Sequence, residues 1–260
     1  MTKSPEKLEG AALWVNLRKL TAARIGLKRA GASLATQALL EFQLAHARAR
    51  DAVHAPLDIA RLNDDLAPLG LPVVDVASAA ADKQTYLMRP DLGRQLAEGA
   101  AAKLKPHAGG YDVVFVVSDG LSAGAVQIHA APVLAAVLSE LQKQSWRIAP
   151  FVMARHGRVA IGDAIAAALG ASCAVVLIGE RPGLSAPDSM GAYLTWQPSA
   201  QTTDAERNCI SNIRPDGIGY ADAAFKLTHL LAAMRARRLS GVALKDLSDR
   251  LLIGGSSGGG

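Results

Sequence analysis

Residues 120–124 read Gly-Leu-Ser-Ala-Gly, and the hydroxyl of Ser122 is the sharpest nucleophile candidate in the chain. The pattern G-x-S-x-G serves catalysis when its serine sits on a tight turn from a strand into a helix, lifted toward a histidine. That context is present: the apolar run YDVVFVVSD precedes the turn and an alanine-rich stretch follows it. The rest of a triad is missing. A carboxylate and then a loop histidine must come downstream. Between Ser122 and His156 the one carboxylate is Glu140, inside a predicted helix, and His229 also falls mid-helix. A stand-alone serine hydrolase using Ser122 is kept as the alternative function.

A different chemistry fits the same loop. Ser118, Asp119 and Ser122 form a polar turn after a predicted strand, and two more strand-end turns resemble it: RHGRVAIGD, which holds Val159 and Asp163, and IGERPGLSAPDS, which holds Glu180 and Arg181. In parallel sheets such turns collect at one edge, where doubly wound folds bind ligands beside free helix N–H groups. A fourth stretch, RNCISNIRPDGIGYADAA, puts Asn208, Cys209, Ser211 and Asn212 ahead of a Pro-Asp-Gly turn. These side chains either cap their own loop or bond the amides and carbonyls of a ligand. Neither G-x-x-x-x-G-K-[ST] nor a G-x-G-x-x-G after a strand occurs, so no nucleotide fingerprint explains the platform. The six histidines never stand at metal-ligand spacing, and Cys173 and Cys209 form no C-x-x-C pair. No metal held by protein side chains is expected, which leaves open a cofactor that brings its own.

The elements that must position these groups follow from periodicity. The expected fold is α/β, a Rossmann-like, doubly wound, mostly parallel sheet preceded by an N-terminal helical segment. Residues 1–105 read as mainly helical with no strand, 106–253 as the sheet domain, and 254–260 (GGSSGGG) as a flexible tail. SLATQALLEFQLAHARARDAVH is read as a helix capped by Ser33 with Leu40, Leu44 and Ala47 on one face, and RPDLGRQLAEGAAAKL as another opening after Pro90. YDVVFVVSD, RIAPFVMARHG and ASCAVVLIGE read as buried strands and GAYLTWQP as a fourth at an edge. A helix over about 122–143, kinked at Pro132, and a last one over YADAAFKLTHLLAAMRARRLSG complete the set. Of 260 residues, 50% are hydrophobic and only 4% aromatic, so the core is built from Ala, Val, Leu and Ile.

Net charge is +5, with the excess local: nine Lys or Arg precede residue 51 against Glu6, Glu9 and Glu41. Without interleaved aromatics, zinc-knuckle spacing or an RGG tract, the basic face reads as a protein-docking or solvated surface and not as a nucleic-acid site. Residues 120–139 are uncharged, but Gln127, His129 and Pro132 and the many alanines make a buried helix the reading over a membrane span. With no apolar stretch near Met1 to serve as a secretory signal, the expected location is the cytoplasm.

The stretches ARIGLKRAGASLATQALLEFQLAHARARDAVH, YLMRPDLGRQL, VVSDGLSA, HGRVAIGD, IGERPGLSAPDSMGAY and NCISNIRPDGIGYADAA occur in this order. Together they resemble the small (light) subunits of ethanolamine ammonia-lyases over about residues 16–243. The resemblance implies a radical enzyme of ethanolamine catabolism that uses adenosylcobalamin to make acetaldehyde and ammonia. It implies a hetero-oligomer in which the large subunit supplies the catalytic residues and most of the ethanolamine site, so none is expected on this chain. The small subunit would dock on the large one through residues 1–105 and bind the cofactor at the interface with residues 106–253, through positions matching Val159, Glu180 and Cys209. The other cofactor-facing candidates are Ser118, Asp119, Ser122, Asp163, Arg181, Asn208, Ser211 and Asn212. The signature D-x-H-x-x-G is absent, its nearest approach being Asp51-Ala-Val-His54, so the cofactor is expected to keep dimethylbenzimidazole on cobalt. Some family members carry an extra polar leader associated with microcompartments; MTKSPEKLEG shows none, so microcompartment residence is not the expectation. A cobalamin-binding module without an enzyme partner is the third reading.

Overall fold

Three mainly apolar runs, VVFVVS, FVMAR and CAVVLIG, become strands because β-branched and other apolar residues fill a pleated surface covered on both faces, with only Arg155 at the end of the second exposed. The computed structural model describes residues 10–21, 23–27, 29–246 and 248. The expected tail at 254–260 lies outside them.

Helix α1 (Gly10–Lys19) leads to a two-residue hairpin, β1 (Arg29–Ala30) and β2 (Ser33–Leu34), then to α2 (Thr36–His54) and α3 (Ile59–Leu66). Next come β3 (Val73–Ala77), α4 (Lys83–Met88) and α5 (Ala100–Leu104), followed by β4 (Val113–Ser118), α6 (Ala123–Lys143) and β5 (Phe151–Arg155). The chain ends with α7 (Ile161–Leu169), β6 (Cys173–Gly179), β7 (Met190–Trp196), β8 (Arg207–Ile213) and α8 (Tyr220–Arg237). The main sheet has the order β3-β5-β4-β6-β7-β8. Its first four strands are parallel, and β7 and β8 continue it antiparallel.

Two cores cover the faces. On one side Phe115, Val117, Met153 and Leu177 pack with residues of α3, α6 and α8; on the other Val114, Val116, Val152 and Val176 pack with α5 and α7. The architecture is therefore the expected α/β one, a mostly parallel sheet with helices on both faces, preceded by an N-terminal helical segment. Helix α6 is long and apolar enough to cross a membrane, but ten of its residues are buried in the described chain.

Four details differ from the sequence reading. Residues 73–77 form an edge strand inside the segment read as strand-free, since VVDVA alternates half-buried and buried positions at a sheet edge. RPDLGRQLAEGAAAKL is not one helix: a 3-10 turn at Leu92–Arg94 and the short α5 are separated at Gly99, whose φ of +76° is left-handed. Ser33 lies in the hairpin, and α2 starts behind Ala35 without a side-chain cap. GAYLTWQP is an inner strand, because NCISNI pairs beside it as the true edge.

Candidate functional site

Strands β5, β4 and β6 are neighbours, so the three glycine-bearing turns at their C-terminal ends meet at one edge of the sheet. Much of their polarity serves to lock them together. The Ser118 hydroxyl donates to the Ala154 carbonyl at 2.7 Å and accepts the Gly157 N–H at 3.1 Å. One Asp119 oxygen accepts the His156 N–H at 2.7 Å; the other lies 3.6 Å from Lys83 Nζ, which also donates to the Gly120 carbonyl at 2.8 Å. Burial pulls the Lys83 ammonium below its usual range, and Asp119 opposes that shift. Gly120 takes a left-handed φ of +54°, and a Cβ there would stand 2.4 Å from the Gly179 carbonyl oxygen. A side chain at Gly120 would hold the 118–122 turn away from the end of β6, where the Leu121 N–H donates to the Gly179 carbonyl at 2.9 Å.

Ser122 is buried, and its hydroxyl donates to the Pro187 carbonyl at 3.0 Å. It ties the long 180–189 loop to the head of α6. Among the described residues no histidine hydrogen-bonds it: His129 Nδ1 meets the Tyr220 hydroxyl at 2.8 Å, and His156 Nδ1 faces the Ala80 carbonyl at 3.3 Å. The strand–turn–helix context of a nucleophile elbow is present, but the group that would activate the serine is not beside it.

Beyond the turns, the antiparallel extension builds a second polar surface. Glu180 is the first residue past β6, half-buried, and its N–H donates to the Ser189 carbonyl at 2.9 Å. Its Oε2 accepts the hydroxyl of the buried Ser189 and the backbone N–H of Asn212, the latter at 3.1 Å. Cys209 stands opposite Tyr193 in the β7–β8 ladder. Desolvation pushes the Cys209 thiol up, against a hydrogen bond with Tyr193 and with the Glu180 charge assisting. The Tyr193 hydroxyl is raised in turn, first by burial and then by Cys209 and Glu180. Glu180, Tyr193 and Cys209 are thus electrostatic neighbours. Val159, at the head of α7, and Tyr193 both pack half-buried on the core under that face.

The remaining sequence candidates divide. Ser211 and Arg181 are exposed on β8 and the 180–189 loop, and Asn212 contributes its backbone amide. Asp163 is buried in a two-pronged ion pair with Arg207, both N···O distances being 2.7 Å. Asn208 clamps the far end of the fold: Gly241 donates its N–H to Oδ1 at 2.7 Å, and Nδ2 donates to the Leu244 carbonyl at 2.8 Å. Sequence reasoning passed over Ser189, Tyr193, Lys83 and Arg207. Ser189 stood inside a quoted motif, but nothing in one sequence distinguishes it from Ser185.

Comparison with known proteins converges on one family. The family model described as "Ethanolamine ammonia-lyase light chain (EutC)" matches residues 11–245. An ethanolamine ammonia-lyase small subunit from Azotobacter vinelandii is 52% identical over 250 residues, covering 95% of this chain and 93% of that protein. One from Ralstonia nicotianae is 52% identical over 244 residues (92% and 90%), and one from Pseudomonas aeruginosa 48% over 248 residues (94% and 91%).

Proposed function

This chain belongs to the ethanolamine ammonia-lyase light-chain family, and on that premise we propose that it holds one side of adenosylcobalamin against a large catalytic subunit. The complex would convert ethanolamine to acetaldehyde and ammonia. When bound, the cofactor supplies the radical chemistry; this chain supplies position, hydrogen bonds and a covered face.

The observation that carries the reading is the state of Glu180. Its Oε2 already accepts two protein donors, while no protein donor reaches Oε1 among the described residues. A corrin rim is fringed with amide side chains, whose N–H groups need acceptors. The donor set fits that group: Oε1 accepts an amide, Val159 and the Tyr193 ring offer apolar contact, and Ser211 and Cys209 line the exposed margin. Ser118, Asp119 and Ser122 act one layer beneath, keeping the turns in register. Asp163 acts through Arg207, which pins β8 and so carries Cys209.

No acid, base or nucleophile is assigned to this chain, and ethanolamine would be bound mainly by the large subunit. The cofactor would keep its dimethylbenzimidazole on cobalt, which the spectrum of the loaded complex reads directly. The complex would work in the cytoplasm, without nucleic acid or membrane.

The test is to co-express this chain with its large subunit, add adenosylcobalamin and ethanolamine, and follow acetaldehyde, with each subunit alone as a control. Turnover requiring both chains is expected, and Glu180→Ala should raise the apparent KM for cofactor. Turnover by the large subunit alone would reduce this chain to a scaffold. Ester hydrolysis by this chain alone, abolished in Ser122→Ala, would replace the proposal with the hydrolase reading.

A further inference from the structure

We propose that Ser189 is a positioning residue that fixes the Glu180 carboxylate for the cofactor before the cofactor arrives; the inference rests on Glu180 being a cofactor contact. Glu180 and Ser189 face each other across the mouth of the 180–189 loop, joined by the backbone bond already described. Ser189 is only 6% exposed, and its hydroxyl is spent on Glu180 Oε2.

The second donor comes from a distortion in the neighbouring strand. Met190 pairs with Ile213 and Ala192 with Ile210, so Ser211 and Asn212 together stand opposite Gly191 in a bulge. Asn212 there takes a φ of +60°, a conformation that asparagine tolerates better than most residues. Its N–H leaves the ladder and donates to Glu180 at 3.1 Å. Asn212 is itself braced: Arg214 Nε donates to its Oδ1 at 2.9 Å and the Ile218 N–H to its carbonyl at 2.8 Å. Gly191 completes the seat, because a Cβ there would lie 3.0 Å from Glu180 Oε1 and 3.3 Å from its Cγ. One oxygen is thereby gripped from the end of the 180–189 loop and from β8, while the other is left to a ligand.

A glutamate at a rim has several rotamers of similar energy, and binding a ligand must freeze one of them. Donors that select the rotamer in advance remove part of that cost and hold Oε1 in place. A purely structural role would tie the loop ends together without affecting the ligand.

The experiment measures adenosylcobalamin affinity of the two-subunit complex by titration, with cyanocobalamin as a probe that needs no turnover, alongside the melting temperature of each variant. Ser189→Ala is expected to weaken both cobalamins about tenfold, the loss of one hydrogen bond to a charged group, with kcat at saturating cofactor unchanged. Ser189→Thr should recover most of the affinity. In a Glu180→Ala background, Ser189→Ala should have no further effect. If Ser189→Ala lowers the melting temperature but leaves affinity intact, or if the two effects multiply in the double variant, the positioning role is wrong while Glu180 stands. If Glu180→Ala leaves affinity unchanged, the cofactor reading of Glu180 falls and the role of Ser189 with it. Should the Ser189→Ala complex fail to assemble, Gly191→Ala displaces the carboxylate with Ser189 left in place; unchanged affinity in that variant would equally overturn the proposal.

Discussion

Cys209 and Cys173 show how the same side chain takes opposite roles according to its strand. Cys173 begins the central strand β6, fully buried, and desolvation raises its thiol to about 12. It is a small core hydrophobe. Cys209 is exposed on the edge strand β8, yet packing around its sulfur also pushes its thiol up from 9.0. Because the thiolate is the reactive species, a raised pKa means less of it at any given pH. Of this chain's two cysteines, iodoacetamide should therefore modify Cys209 and not Cys173 in the folded protein, more slowly at pH 8 than it modifies free cysteine. The rate should still be climbing above pH 9. Adenosylcobalamin should slow the reaction further if Cys209 lines its site. Labelling with mass-spectrometric readout checks all three, and modification at the rate of free cysteine would contradict the desolvated placement.

Helices α6 and α8 meet the 180–189 loop at His129. This ring is buried, with Nδ1 on the Tyr220 hydroxyl and Nε2 3.9 Å from the Asp188 carboxylate. Desolvation lowers its pKa from 6.5; Asp188 opposes that change and Arg214 adds to it. A folded pKa below the unfolded one contributes stability above 6.5, lost as pH falls through the folded value. Melting temperature should accordingly drop between pH 7 and pH 5, and His129→Gln should flatten that dependence; an equally steep profile in the variant would assign it to other groups. Such hubs join elements distant in sequence, which is why reading the chain recovered the elements better than their joints. The strands VVFVVS, FVMAR and CAVVLIG were legible because a strand buried on both faces needs no partner to explain its pattern. The edge strand VVDVA is not legible because its side chains do not alternate between apolar and polar, although their burial alternates in the fold. NCISNI read as a loop because a bulge breaks its alternation, and the same bulge creates the Asn212 donor for Glu180. The strand-end turns were identifiable from their glycines. Which of their polar groups face a ligand depends on hydrogen bonds such as Asp163–Arg207, spanning 44 residues, and these leave no mark on local sequence.

Over the whole molecule, the sheet and its two helical layers are closed, and the N-terminal segment is not. Helix α2 has nineteen residues but buries only Ala45. Leu39, Leu40, Phe42 and Leu44 are between 40% and 59% exposed, and Trp14 of α1 is also exposed, at 43%. The amphipathic face expected at Leu40 and Leu44 exists, but it turns outward. An isolated helix gains little stability in water, and a stable one usually has its apolar stripe covered. The small-subunit name of its relatives implies a large partner; docking of residues 1–105 on that partner would cover the stripe, with the exposed Arg24, Arg29, Arg48 and Arg50 at its margin. Leu40→Ser combined with Leu44→Ser should therefore leave the melting temperature of this chain nearly unchanged, since exposed positions usually shift stability by about 0.5 kcal/mol or less. The same pair should weaken association with the large subunit by roughly tenfold or more, as truncated interface anchors do. Basic residues at the margin should add a salt-dependent association rate that Arg48→Glu reduces. Co-purification and sedimentation at two salt concentrations measure each effect. A variant that binds its partner normally but melts early would mean that α2 is held against this chain and that the large subunit docks elsewhere.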